Sequence, residues 1–132
     1  MKRTQVSDLI FWTLWIFTAL CVTAGYGLIR EQEALARDVA GYLDRAEQAL
    51  SAGDWAAFEQ AVAQARTAWE DARPWLSFFT DHDPVHEISD TLLEAQALAR
   101  AQDPAAWGPL LVARERILIL PERERLLMRN LF

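Results

Sequence analysis

One cysteine, one lysine and two histidines are all that 132 residues supply of these reactive types. With Cys21 alone, no disulfide can form within the chain. Five glycines and no low-complexity tract leave no basis for disorder. No glycine-rich loop is present to cradle a phosphate, and no serine stands in a G-x-S-x-G context, so two common catalytic frameworks are missing. No segment alternates apolar and polar residues with a period of two, so strands are not expected. Twelve of the thirteen basic residues are arginine, and alanine is abundant; this is the stamp of a GC-rich genome and carries no functional signal.

What is present is bulk and helical periodicity. Six tryptophans and six phenylalanines supply large apolar side chains, and the length suits a single domain with a real core.

From Leu9 to Ile29, "LIFWTLWIFTALCVTAGYGLI" carries no charge. At ~1.5 Å rise per residue a helix of this length spans about 30 Å, the hydrocarbon thickness of a bilayer. Trp12, Trp15 and Tyr26 lie toward its ends, where amphipathic rings prefer the interface. A cleaved signal peptide would have a shorter apolar region and an A-x-A-like site, which "VTAGY" matches poorly. A lipoprotein signal needs a small residue before its cysteine, and Leu20 stands there, so Cys21 reads as an apolar filler. Lys2 and Arg3 precede the run, whereas "REQEALARD" after it is nearly balanced. The expectation is a cytoplasmic N-terminus at residues 1–8, a transmembrane helix at 9–29 and an extracytoplasmic bundle at 30–132.

Beyond the run, everything reads as helix. Leu35, Val39, Tyr42, Leu43, Ala46 and Leu50 recur at three and four, continuing the membrane helix to about Ser51. Gly53 suits a C′ position and Asp54 an N-cap. Trp55, Phe58, Val62, Ala65, Trp69, Ala72, Leu76 and Phe79 form a coiled-coil-like seam that reads as core packing. Pro74 should kink the second helix, or end it with a restart near Trp75. Val85, Ile88, Leu92, Ala95 and Ala99 mark a third helix. Asp103 and Pro104 fit N-cap and N1 of a fourth, through Trp107, Leu110, Leu111, Arg114, Ile117 and Leu118. Gly108-Pro109 should make its start irregular, and Pro121 should divide it from a short final helix. "AEQALSAGDWAAF" and "EAQALARAQDPAAW" echo each other as corners with an aspartate cap and an aromatic four residues on. The expected fold is therefore all-α: a transmembrane helix continuing into a small antiparallel bundle of two stacked helical hairpins.

"SFFTDHDPVHEIS" concentrates both histidines between two acids. Pro84 at N1 would make Asp83 the N-cap and leave His82 outside the helix, so His82 and His86 would not share a helical face as in H-E-x-x-H. His82, Asp83, His86 and Glu87 are chemically able to ligate Zn²⁺, which needs three or four converging ligands. The expectation is a capped helix corner with no metal, no cofactor and no catalytic residue. The structural positions singled out are Trp55, Phe58, Trp69, Trp75, Asp83 and Trp107.

The "AGDW" opening, the Trp69–Trp75 pair, "FFTDHDPVHEISDTL" and the terminal "PERERLLMRNLF" together resemble an uncharacterised family of small single-pass membrane-anchored helical proteins of Gram-positive Firmicutes, a domain-of-unknown-function family. The resemblance covers essentially the whole chain. It implies a bacterial surface protein without a recognised catalytic site.

Fifteen acidic residues stand against five arginines between Glu31 and Asp103, and five arginines against three glutamates from Leu110 onward. An acidic body excludes nucleic acid as a partner. The directions of the helices put the Asp81–Glu87 corner and the C-terminus near the membrane. The basic apolar tail should neutralise its own bundle, with anionic headgroups as the alternative. The functional expectation is a non-enzymatic interaction or scaffold protein, an integral membrane chain facing a membrane or envelope protein. The alternative is a ligand- or metal-sensing ectodomain using the Asp81–Glu87 corner; a hydrolase ranks last.

Overall fold

The computed structural model describes residues 2–131; Met1 and Phe132, the outermost residues of the expected N-terminal segment and bundle, lie outside the described residues. The fold is all-α. Four helices follow one another: α1 (Lys2–Ser51), α2 (Trp55–Phe79), α3 (His82–Arg100) and α4 (Trp107–Leu131), with a 3₁₀ turn at Pro104–Ala106. The chain divides into two compact units, Met1–Glu31 and Gln32–Phe132, and α1 runs unbroken through the boundary.

In the first unit, one helix is long and apolar enough to cross a membrane, and none of its most apolar stretch is buried. Its hydroxyls are satisfied locally. Thr13, Thr18 and Thr23 each donate to the carbonyl four residues back, at 2.7, 2.9 and 2.8 Å. A threonine bonded in this way needs no water to complete it.

The second unit is built on one apolar core. Ala36, Val39, Leu43, Ala46 and Leu50 of α1 meet Phe58, Val62, Ala65, Trp69, Ala72 and Leu76 of α2. Val85, Ile88, Leu92, Ala95 and Ala99 of α3 and Leu110, Ala113, Ile117 and Leu120 of α4 complete it. Each set steps by three and four, which keeps one stripe of each helix facing inward. Burying one such Leu, Ile or Phe stabilises the fold by ~1.5–3 kcal/mol. The expected seam of α2 ends one step early: Leu76 is buried but Phe79 is exposed. In α4, Leu111 and Leu118 likewise face outward, so its inward stripe is narrower than the apolar content suggests.

Short corners make neighbouring helices antiparallel, and cross-pairs join α1 to α4 and α2 to α3. Asp44 binds Arg114 at 2.7 Å and Glu33 pairs with Arg125, the same eleven-residue step on each helix running in opposite directions. Arg100 at the end of α3 binds Glu59 near the start of α2 at 3.1 Å.

Two of the corners are built alike. After α1, Asp54 N–H donates to Ala49 O at 2.9 Å and Gly53 N–H to Leu50 O at 3.0 Å. After α3, Asp103 N–H donates to Leu98 O at 3.0 Å and Gln102 N–H to Ala99 O at 3.1 Å. Both are Schellman closures, which require a left-handed residue. Gly53 fills that place at φ 72° and Gln102 at φ 51°. Each aspartate then caps the next element: Asp54 Oδ1 accepts from Ala57 N–H at 3.0 Å and Asp103 Oδ1 from Ala105 N–H at 2.9 Å. The repeat seen in the sequence is thus a repeated closure.

Two proline expectations, at Pro121 and Pro84, need correction, and at Pro74 the alternative of an end with a restart is excluded. α2 passes Pro74 without an end or restart, and α4 passes Pro121 without dividing. Each proline removes one hydrogen bond. Ala72 and Leu76, both buried, hold α2 on either side of Pro74, and Pro121 is itself buried beside Leu120, the last core residue of α4. Pro84 stands third in α3, not first, so Asp83 is not the N-cap. The first four N–H groups of a helix have no partner within it, so a proline fits there without breaking a bond. Pro109 occupies the same third place in α4, and the 3₁₀ turn before it accounts for the irregular start.

Candidate functional site

The Asp81–Glu87 corner is the part of the second unit richest in ionisable groups. α2 closes on Thr80, whose N–H donates to Leu76 O at 2.9 Å. The extended backbone of Thr80 and Asp81 turns the chain, and α3 begins at His82. Asp81 occupies the N-cap position, yet its side chain makes no capping bond. Asp83 lies in the first turn, where its charge meets the positive end of the helix dipole.

The earlier helix start changes the relation of the two histidines. His82 lies inside α3, so His82 and His86 share one face, with ring centroids 6.4 Å apart. Both rings, and the carboxylates of Asp83 and Glu87, are exposed. Beside them runs an open groove lined by Asp81, His82, Asp83, Pro84, Glu87 and Arg123. The Arg123 guanidinium brings positive charge where a cation would have to sit. Among the described residues, no three His, Cys, Asp or Glu side chains converge to hold a metal ion. Two imidazoles one turn apart are half of a tetrahedral set.

Behind the corner lies a polar group of a different kind. Gln32 Nε2 donates to Thr80 Oγ1 at 2.7 Å, and both residues are buried. The Gln32 Oε1 is buried without a partner. Glu124 of α4 is half-buried, and its carboxyl is raised above the ordinary range, first by burial and then by the Asp81 carboxylate; Arg123 opposes this. Neither Gln32 nor Glu124 stands out in the sequence, because each is one polar residue in a polar stretch.

The other singled-out positions are core and rim. Phe58 and Trp69 are buried, while Trp55, Trp75 and Trp107 are half-buried at the edge of the same core. Trp55 meets Phe58 edge-on at 5.8 Å between ring centroids. Asp83 is on the surface. The large exposed side chains at this end of the unit are Phe79, the last position of the expected seam, and Phe78 beside it; their adjacency, which no single helical stripe can bury, is the signal in the sequence.

An all-α chain of four helices, the first of which begins as an apolar stretch of membrane-spanning length, is the class that the fold defines. The chain belongs to the family described as "Domain of unknown function (DUF4363)", whose model matches residues 27–131. The match covers the second unit as far as Leu131 and leaves Leu9–Tyr26 outside it. No curated protein and no solved structure matches the chain.

Proposed function

We propose that this protein is a non-enzymatic, single-pass membrane anchor that holds a small helical bundle outside the cytoplasm, where the bundle engages a membrane or envelope protein. The observation that carries the reading is the uncharged run Leu9–Ile29, helical throughout and exposed along its most apolar stretch. An exposed apolar run of this length is poorly tolerated in water and well matched to a bilayer. Its three threonines bonded back to the helix fit a medium without water. The basic pair Lys2 and Arg3 before the run supports the orientation. A Gram-positive envelope, implied by the family resemblance, belongs to the same proposal.

A reporter active only outside the cytoplasm, fused after Phe132, should be active in intact cells. Activity of a cytoplasmic reporter alone at that position would reverse the orientation. A chain shortened at its N-terminus and released from the membrane would instead make the run a signal sequence. Crosslinking in intact cells followed by mass spectrometry identifies the partner.

A second reading rests on the shared face of His82 and His86, 6.4 Å apart. A metal- or ligand-sensing corner would bind through these two rings, with the remaining ligands supplied from outside the described cluster. Stoichiometric metal in the purified protein, lost in the His82→Ala, His86→Ala double variant, would support it.

A further inference from the structure

Phe78 and Phe79 are the most conspicuous apolar side chains of the second unit left without a cover. Phe78 is 84% exposed and Phe79 56%. They stand next to Thr80 at the end of α2. In the last turns of α4, Leu126 and Leu127 are 52% and 54% exposed, flanked by Arg123, Arg125 and Arg129. Both groups lie at the same end of this unit. Arg123 lines the groove with Asp81 and Pro84, and Glu124 is close enough to Asp81 to feel its charge.

That end is also where the second unit begins. Gln32 donates to Thr80 at 2.7 Å, and Glu33 pairs with Arg125. Gln32 is three residues beyond Ile29, the last residue of the uncharged run. Three residues reach at most ~11 Å even when fully extended. A bilayer that takes up the run to Ile29 therefore lies within that distance of Gln32, and so close to the Thr80 corner.

We infer that this end of the bundle is a lipid-docking surface: Phe78, Phe79, Leu126 and Leu127 insert into the headgroup region of the bilayer that holds the anchor. The inference rests on the anchor reading. Aromatic and leucine side chains enter the boundary between headgroups and acyl chains, and arginines beside them keep their charge at the phosphates while their stems stay in apolar surroundings. The corner is also acidic, through Asp81, Asp83 and Glu87. Apolar insertion is thus the driving term, with Arg123 and Arg129 offsetting the acids against an anionic surface.

The full-length protein, with Cys21→Ala as background, can be reconstituted in vesicles of phosphatidylcholine and phosphatidylglycerol. An environment-sensitive fluorophore is placed by Phe78→Cys or, separately, by Leu127→Cys. Gln102→Cys, in the turn after α3, serves as the reference, and Leu14→Cys reports on the anchor. A quencher carried high on the lipid acyl chain should quench labels at 78 and 127 several-fold more than the label at 102. The label at 14 should be quenched by lipids carrying the quencher deep in the chain. In the Phe78→Ser, Phe79→Ser double variant, quenching at 127 should fall while quenching at 14 persists. Quenching at 78 and 127 no greater than at 102, with 14 still quenched, overturns the docking surface and leaves the anchor standing. Loss of quenching at 14 as well overturns both.

Discussion

Trp69 Nε1–H donates to Ser89 Oγ at 2.9 Å, joining the middle of α2 to α3 inside the core. Both residues are buried. An indole can be buried whole only when its one polar hydrogen finds an acceptor, and a serine on the facing helix supplies it. Trp69→Ala should destabilise the protein by ~3–5 kcal/mol, through lost contact and a cavity. Ser89→Ala should cost ~1–3 kcal/mol, because it leaves the indole N–H buried without a partner. Thermal and denaturant melts of the full chain in detergent give both values. A Ser89→Ala variant as stable as the wild type would remove this bond as a structural element.

The two Schellman corners differ in the residue that must go left-handed, Gly53 at φ 72° and Gln102 at φ 51°. A non-glycine residue in that region costs roughly 1–2 kcal/mol. Gln102→Gly should therefore stabilise the protein by about 1 kcal/mol after the glycine's greater unfolded-state entropy is deducted. Gly53→Ala should destabilise it by a similar amount, although open space surrounds that position. Opposite shifts of the melting temperature are the expected result.

Asp54 caps α2 through a bond of 3.0 Å, while Asp83 caps nothing. Asp54→Ala should cost ~0.5–2 kcal/mol, and Asp54→Ser should recover most of it. Asp83→Ala removes only a charge at the helix start, worth ~0.3–1 kcal/mol and weakened by salt. Melts at low and high ionic strength should rank Asp54→Ala as the more damaging, with the Asp83→Ala effect fading in salt and the hydrogen-bond part of the Asp54→Ala effect persisting.

Pro74 lies exposed within a continuous α2. Alanine restores the missing helix bond, and in a helix interior it is preferred over proline by up to ~3 kcal/mol. Pro74→Ala should raise the melting temperature. A lower one would mean that a bend made by the proline is needed for Trp75 to pack.

Glu124 has a carboxyl raised above its ordinary value of 4.5 by burial first and by Asp81 second. A raised folded-state pKa favours the fold when the group is protonated. Its stabilising contribution is full below the unfolded-state pKa and is lost as pH rises through the folded-state value. Glu124→Gln keeps a neutral side chain at every pH, so it should stabilise the protein at neutral pH. The gain should shrink as pH falls through the carboxylate range. Partial exposure of Glu124 keeps the effect small. A melting-temperature difference between the two proteins that does not change with pH would refute the assignment.

Elements whose cause is local are legible in the order of the amino acids. Three-and-four spacing located the stripes of α1, α2 and α3, because the helix period is a property of the backbone. Asp54, Gly53, Asp103 and Pro104 announced two corners, because caps and left-handed closures act within six residues. The length and lack of charge of Leu9–Ile29 singled out one membrane-length helix for the same reason. The remaining features arise from packing between helices. Whether Pro74 and Pro121 break a helix depends on how firmly the buried residues beside them, Ala72 and Leu76 in α2 and Leu120 in α4, are held, which is a sum over distant contacts. The start of α3 at His82, which places the two histidines on one face, depends on how Thr80 and Asp81 turn behind Gln32, a residue 48 positions from Thr80. The pairs Trp69–Ser89, Asp44–Arg114 and Glu33–Arg125 join residues far apart in the chain, and no periodicity encodes which polar side chain will meet which. Adjacency alone meant that one helical stripe could not bury both Phe78 and Phe79; packing decided that both are exposed.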